Sequence, residues 1–287
     1  MRENMADYNY RATKKPRKIR YHFSLVFFVG VLIFGLMFWR YMKTTTLEDV
    51  LTQDRNIIVP AAGTLDGNGQ NLGDNSDDSS PTAAVIQNPV PESESKDNSY
   101  FDSCTFIGDF LPHGLSSYGI VPQDNVYAAV TMTPANAQTE QVDTPSGKMT
   151  VEAALAQSKG ENIYIMLSAS SSAYMNVGDM YSGITSFCSM VRLNCPESRI
   201  FLLSAPPVSS VRESSMESPI KNADIDSYNS KLLEYANTNG IHYLDINTYF
   251  KGENGFLSFE DAENDGLHLR EAAYEKLANY ILSHTAG

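Results

Sequence analysis

Hydrophobic and polar positions divide this chain into three stretches of different character. The first is an apolar run from Phe23 to Trp39, FSLVFFVGVLIFGLMFW, seventeen residues without a charge. A segment that is apolar all round has no polar face to turn toward water, so it is not an amphipathic surface helix. Its length is at the short end for a helix that spans a bilayer. Tyr21, Trp39 and Tyr41 stand where interfacial aromatic anchors belong. The second stretch, residues 62–98, is rich in Gly, Asn, Asp, Ser and Pro and poor in large apolar side chains. It cannot bury enough surface to offset the entropy of ordering it, and it reads as a flexible tether. The third begins at Tyr100, where short apolar runs alternate with longer helical patterns. CTFIG (104–108), NVYAAV (125–130), NIYIMLS (162–168), RIFLLS (199–204) and IHYLD (241–245) read as buried strands. Helical patterns fall near 150–158, 177–194, 222–239 and 270–284. In the third of these, Ile225, Tyr228, Leu232, Leu233 and Tyr235 lie close to one face. Strands alternating with helices predict an α/β domain, a five-stranded parallel sheet covered on both faces in a three-layer α/β/α arrangement.

Charge gives the first stretch a direction. Residues 1–43 hold nine basic and two acidic side chains, and the rest of the chain holds twelve basic and thirty-two acidic. KKPRKIR (14–20) precedes the apolar run, and only Arg40 and Lys43 follow closely. The positive-inside rule then places the N-terminus in the cytoplasm and the body of the protein outside. A cleaved signal peptide would end in small residues, whereas this run ends in Phe38, Trp39, Arg40 and Tyr41. The expected organisation is a basic cytoplasmic tail (1–21), a transmembrane signal anchor in contact with the lipid bilayer (22–41), an extracytoplasmic linker (42–98) and a folded domain (99–287). A coil of about 50 residues spans roughly 40 Å, enough to lift the domain clear of the membrane.

The acidic body argues against nucleic-acid binding, which needs a basic footprint. Cysteine is sparse: Cys104, Cys188 and Cys195. An odd count describes no disulfide framework. Cys188 and Cys195 are seven apart in a helical pattern, roughly 10 Å along an axis, too far for a bridge within an intact helix. One pair involving Cys104 and three free thiols both remain open.

In a parallel sheet, ligands bind at the carboxyl ends of the strands, so the residues after each strand carry the functional information. Gly108, Asp109 and Phe110 follow the first strand, and Thr131 to Pro134 follow the second. Ser168 to Ser172 follow the third, and SAPPVS (204–209) follows the fourth. Asp265 and His268 stand three apart just before the last helix.

This layout resembles the SGNH (GDSL) hydrolase family of esterases and lipases over residues 100–285. The most specific likeness is Asp265-Gly266-Leu267-His268 followed by LREAAYEKLANYIL. In that family an Asp-x-x-His turn precedes the C-terminal helix, the Asp orients the His and the His is the general base. FIGD (106–109) and SAPPV (204–208) are similar as well. The remaining positions depart from the family. Its nucleophilic Ser falls on Phe110, its oxyanion Gly near Thr131 and its oxyanion Asn on Ser170. The resemblance implies an α/β/α hydrolase-like fold with the Asp265–His268 dyad retained and Asp109, Phe110, Thr131 and Ser170 at degenerate positions.

Serine-type acyl transfer needs a hydroxyl nucleophile, a base and donors aimed at the oxyanion. Phenylalanine supplies no nucleophile. Three readings follow. The first is a catalytically inactive pseudo-hydrolase that binds a cell-envelope glycan or a protein partner. The second is an esterase or deacetylase acting on envelope polysaccharide esters, with a rebuilt site in which a serine or threonine reaches His268. The third is a structural spacer without a ligand. Asp265-Gly266 also reads as an ordinary turn, and His268 as a polar residue at a helix start. His113, in the loop after Phe110, could face the same cleft, but no spacing here specifies a metal site. The pattern calls for no cofactor.

Overall fold

The computed structural model describes residues 86–217 and 220–286. The expected anchor at 22–41 and most of the expected linker lie outside the described residues. Among the described residues no helix is long and apolar enough to cross a membrane.

Among the described residues there are seven strands: β1 Cys104–Gly108, β2 Val126–Ala128, β3 Gln141–Thr144, β4 Gly147–Thr150, β5 Asn162–Met166, β6 Arg199–Leu203 and β7 His242–Leu244. Five form one sheet in the order β2-β1-β5-β6-β7, and all four pairings are parallel. Counting only these five, the order is 2-1-3-4-5, a doubly wound arrangement. Every residue of β1 and β5 is buried, as expected of central strands covered on both faces. Across one face runs a ladder of aligned rings. Phe106 stacks on Tyr164, Tyr164 on Phe201 and Phe201 on His242, with centroids 5.1, 4.6 and 4.7 Å apart. These residues are also direct register partners, so each cross-strand pair supports the same alignment.

The α-helices among the described residues are α1 Phe110–Ser117, α2 Val151–Gln157, α3 Val177–Asn194, α4 Ser210–Glu213, α5 Asn222–Asn239, α6 Ile246–Phe250 and α7 Glu271–Ser283. They flank the sheet in two packed groups, α1 with α7, and α2 and α5 with α3. In α5, Ile225, Tyr228, Asn229, Leu232 and Ala236 are buried at helical spacing, and Gly240 closes the helix in the left-handed conformation. The predicted five-stranded α/β/α domain is the one observed.

Three local features differ from expectation. His113 was expected in a loop and lies inside α1, which starts directly after Asp109. β3 and β4 form a small antiparallel hairpin that the hydrophobic pattern did not reveal, because its strands are four residues long and largely polar. The folded domain also begins before residue 99. The Asn88 side chain donates to Ile241 O (2.8 Å) and accepts from Tyr243 N–H (2.7 Å). Val90 is buried, and its N–H donates to Tyr243 O. Further on, Ser93 and Lys96 N–H groups donate to Ser283 and Leu282 carbonyls. The last part of the expected linker therefore covers the open edge of β7, where unpaired backbone groups would otherwise face solvent.

Candidate functional site

The site is assembled at the carboxyl ends of β1 and β5 and at the turn before α7. β1 ends at Gly108, where a Cβ would collide with the Met166 carbonyl of β5. Only glycine lets the two strand ends approach this closely. Asp109 follows and is buried. One carboxylate oxygen accepts from Leu111 N–H (3.1 Å), which caps α1. The other accepts from Ser168 N–H (2.7 Å), which ties the end of β5 to the start of α1. Burial pushes the Asp109 carboxyl up to about 6, although the hydrogen bonds from Ser168 and Leu111 act in the other direction.

Phe110 is the first residue of α1, and only 9% of it is exposed. Its ring packs on the imidazole of His268, with centroids 4.2 Å apart and planes tilted by 48°. Tyr274 of α7 donates its phenol to the Phe110 carbonyl at 3.2 Å. Tyr274 reads in the sequence as one more apolar position of the last helix, so periodicity alone hides this polar contact.

Asp265 and His268 meet as their spacing predicts. The carboxylate Oδ2 lies 2.5 Å from His268 Nδ1, and Oδ1 accepts from the N–H groups of Leu267 (3.0 Å) and His268 (3.1 Å). Burial pushes this carboxyl up. The bonds from Leu267 N–H and from the ring and N–H of His268 outweigh it and hold the carboxyl below its ordinary value. A neutral imidazole donating from Nδ1 keeps Nε2 as an acceptor, the state a general base requires. The turn is held from below. Gly266 has φ +69°, its carbonyl accepts from Ser209 N–H (2.9 Å), and a Cβ there would collide with the Ser209 hydroxyl. The SAPPVS segment thus serves as the seat of the Asp-x-x-His turn, a role its composition did not disclose.

The other anticipated positions do not join the dyad. Ser170 sits in a 3-10 turn, Ala169–Ala173, and its hydroxyl accepts from Ser168 Oγ at 2.9 Å. Ser172 Oγ donates to Ala169 O. Thr131 Oγ1 donates to Glu140 Oε1 at 3.0 Å. Among the described residues the His268 ring hydrogen-bonds Asp265 and no hydroxyl. His113 is exposed on α1, and no group of three His, Cys, Asp or Glu residues arranged to hold a metal occurs among the described residues. All three cysteines are buried free thiols, which resolves the alternatives left by their count.

A five-stranded sheet in this order, with an Asp–His turn poised beside the end of its β1, is an SGNH hydrolase-like fold. No protein-family model matches the chain, and no curated protein sequence does. Among solved structures it is similar to a Streptococcus pneumonia protein assigned as a platelet activating factor, at 19% identity and a TM-score of 0.49, covering 62% of this chain and 81% of that one. It is also similar to a GDSL-like lipase from Bacteroides thetaiotaomicron, at 17% identity and a TM-score of 0.46, covering 63% and 85%. A third is a carbohydrate esterase family 3 protein from Talaromyces cellulolyticus, at 12% identity and a TM-score of 0.43, covering 62% and 92%. The likeness to these proteins is one of fold.

Proposed function

We propose that this is a membrane-tethered, extracytoplasmic protein whose SGNH hydrolase-like domain has lost ester hydrolysis and serves to bind a cell-envelope glycan or a protein partner there. The observation that carries this reading is the packing of Phe110 on His268. The position that would carry the nucleophile instead carries a ring, and that ring packs against one side of the base, whose side chain stays 47% exposed. Losing a single oxyanion donor costs about 10²–10³ in rate, and here the donor positions have changed together with the nucleophile. The tether and the outward placement rest on the apolar run at 23–39 and on the basic residues that precede it.

The second reading, a carboxylic ester hydrolase with a rebuilt site, requires a serine or threonine within about 2.6–3.2 Å of His268. Ser170 and Thr131 are both engaged elsewhere, so no observation favours that reading.

Hydrolysis of p-nitrophenyl acetate by the full-length protein in detergent, beside His268→Ala, tests the loss of catalysis. Equal rates at background are expected. A wild-type rate a hundredfold higher that vanishes in the variant would overturn the proposal. Protease digestion of intact cells tests the topology, and a folded domain protected from external protease would contradict it.

A further inference from the structure

Beside the Phe110–His268 contact, α1, the loop after β2 and the β3–β4 hairpin line an open surface pocket of about 360 Å³. Its walls include His113, Ala129, Val130, Thr131, Glu140 and Lys148. His113 lies three residues after Phe110 on α1, just under one helical turn. The pocket therefore opens one turn away from the Phe110–His268 contact. The hairpin is an addition to the five-stranded plan, and β3 packs beside β2 to form the pocket's far wall.

The polar groups in this pocket have capacity to spare. Glu140 is fixed by two donors, Thr131 Oγ1 (3.0 Å) and Asn136 Nδ2 (2.7 Å). A carboxylate has about four acceptor sites, so Glu140 retains room for ligand hydroxyls. Lys148 and Asp143 form a loose pair at 3.5 Å, with side chains 66% and 75% exposed. Such a pair is weakly held and can turn its donors and acceptors toward a ligand. Val130 is 64% exposed and, with Ala128 and Ala129, supplies an apolar wall. A carboxylate anchored in place, an exposed ammonium, an imidazole and a small apolar surface suit a pyranose, which presents hydroxyls at its rim and C–H groups on its face.

Charge narrows the class further. Residues 86–287 hold eleven basic and twenty-five acidic side chains. The pocket itself adds two carboxylates against one lysine. An anionic polymer would meet repulsion both locally and from the whole domain. We infer that this hairpin pocket is a binding site for a neutral oligosaccharide. The inference rests on the glycan-binding reading above, and adds where the glycan sits and which charge class it belongs to.

The test is calorimetric titration of the full-length protein in detergent with the N-acetylglucosamine tetramer and, separately, with polyglycerol phosphate. His113→Ala/Lys148→Ala, two exposed positions, is compared with wild type after its thermal midpoint is shown to be unchanged. The expected result is binding of the tetramer that weakens at least tenfold in the double variant. Equal tetramer affinity in both proteins overturns the pocket and leaves the glycan-binding reading standing. Binding of polyglycerol phosphate alone overturns the neutral class and likewise leaves that reading standing. Binding of neither polymer overturns the pocket and the glycan half of the proposed function together. The hydrolysis assay reads the loss of catalysis independently of all three.

Discussion

The ring of Phe110 lies against the imidazole of His268 at a centroid distance of 4.2 Å, and the imidazole's Nδ1 is held by Asp265 at 2.5 Å. One edge of a base is thus oriented as catalysis would require, while a hydrocarbon ring, not a hydroxyl, packs against its side. The orienting carboxylate and the packed ring come from opposite ends of the domain, one before α7 and the other at the start of α1.

Phe110→Ser puts a hydroxyl on the backbone position that now carries the ring. The expected outcome is weak turnover of p-nitrophenyl acetate that disappears in Phe110→Ser/His268→Ala. It should stay weak because the oxyanion donors are not restored, and each missing donor costs about 10²–10³. Equal rates in the single and double variants would show that the imidazole does not reach the new hydroxyl. Loss of the ring also destabilises the domain, by about 3 kcal/mol at the lower end for Phe truncation. A domain of this size would then melt about 6–12 °C lower.

Asp109 makes stability depend on pH in an unusual direction. Its folded pKa is about 6, above the ordinary 3.8, so the folded state holds this proton more tightly than the unfolded chain does. The stabilisation from the neutral form is complete below about pH 4 and is lost as pH rises through 6. Over that window it amounts to about 3 kcal/mol. Asp109→Asn cannot ionise and lacks this component. Urea unfolding of both proteins at pH 4, 5, 6 and 7 isolates it, since the other carboxylates contribute equally to each. A constant difference across the four values would refute the assignment.

Asn88 clamps the N-terminal strap to the edge of β7 through one donor and one acceptor. Asn88→Ala removes both bonds at an expected cost of about 1–3 kcal/mol. Amide exchange at Tyr243, whose N–H donates to Asn88, should accelerate, while exchange in β1 and β5 follows only the global loss. Unchanged exchange at Tyr243 would mean that the strap is not held there in solution.

The three thiols should be inert in the native protein. Burial pushes Cys104 and Cys188 up to about 12 and raises Cys195 as well. Thiolate, the reactive form, is then scarce at pH 8. Iodoacetamide at that pH is expected to label none of them in the folded protein and all three after denaturation. Rapid labelling of any one in the native state contradicts this.

The sheet was legible in the sequence because each central strand is buried on both faces and must be apolar along its length. CTFIG, NIYIM and RIFLL announce themselves without knowledge of their partners. The Asp265–His268 dyad was legible too, since two side chains three residues apart before a helix meet through local backbone geometry alone. What joins distant segments was not. No local pattern foretells that Phe110 would pack on His268, 158 residues later. Nor does one foretell that Ser209 would seat Gly266, or that Asn88 would close the edge of β7. The polar hairpin β3–β4 leaves little mark in the sequence because short strands held by backbone bonds and a turn need little hydrophobic patterning. Burial and local turn chemistry are written residue by residue. Which surfaces meet is decided only when the sheet brings its strand ends together.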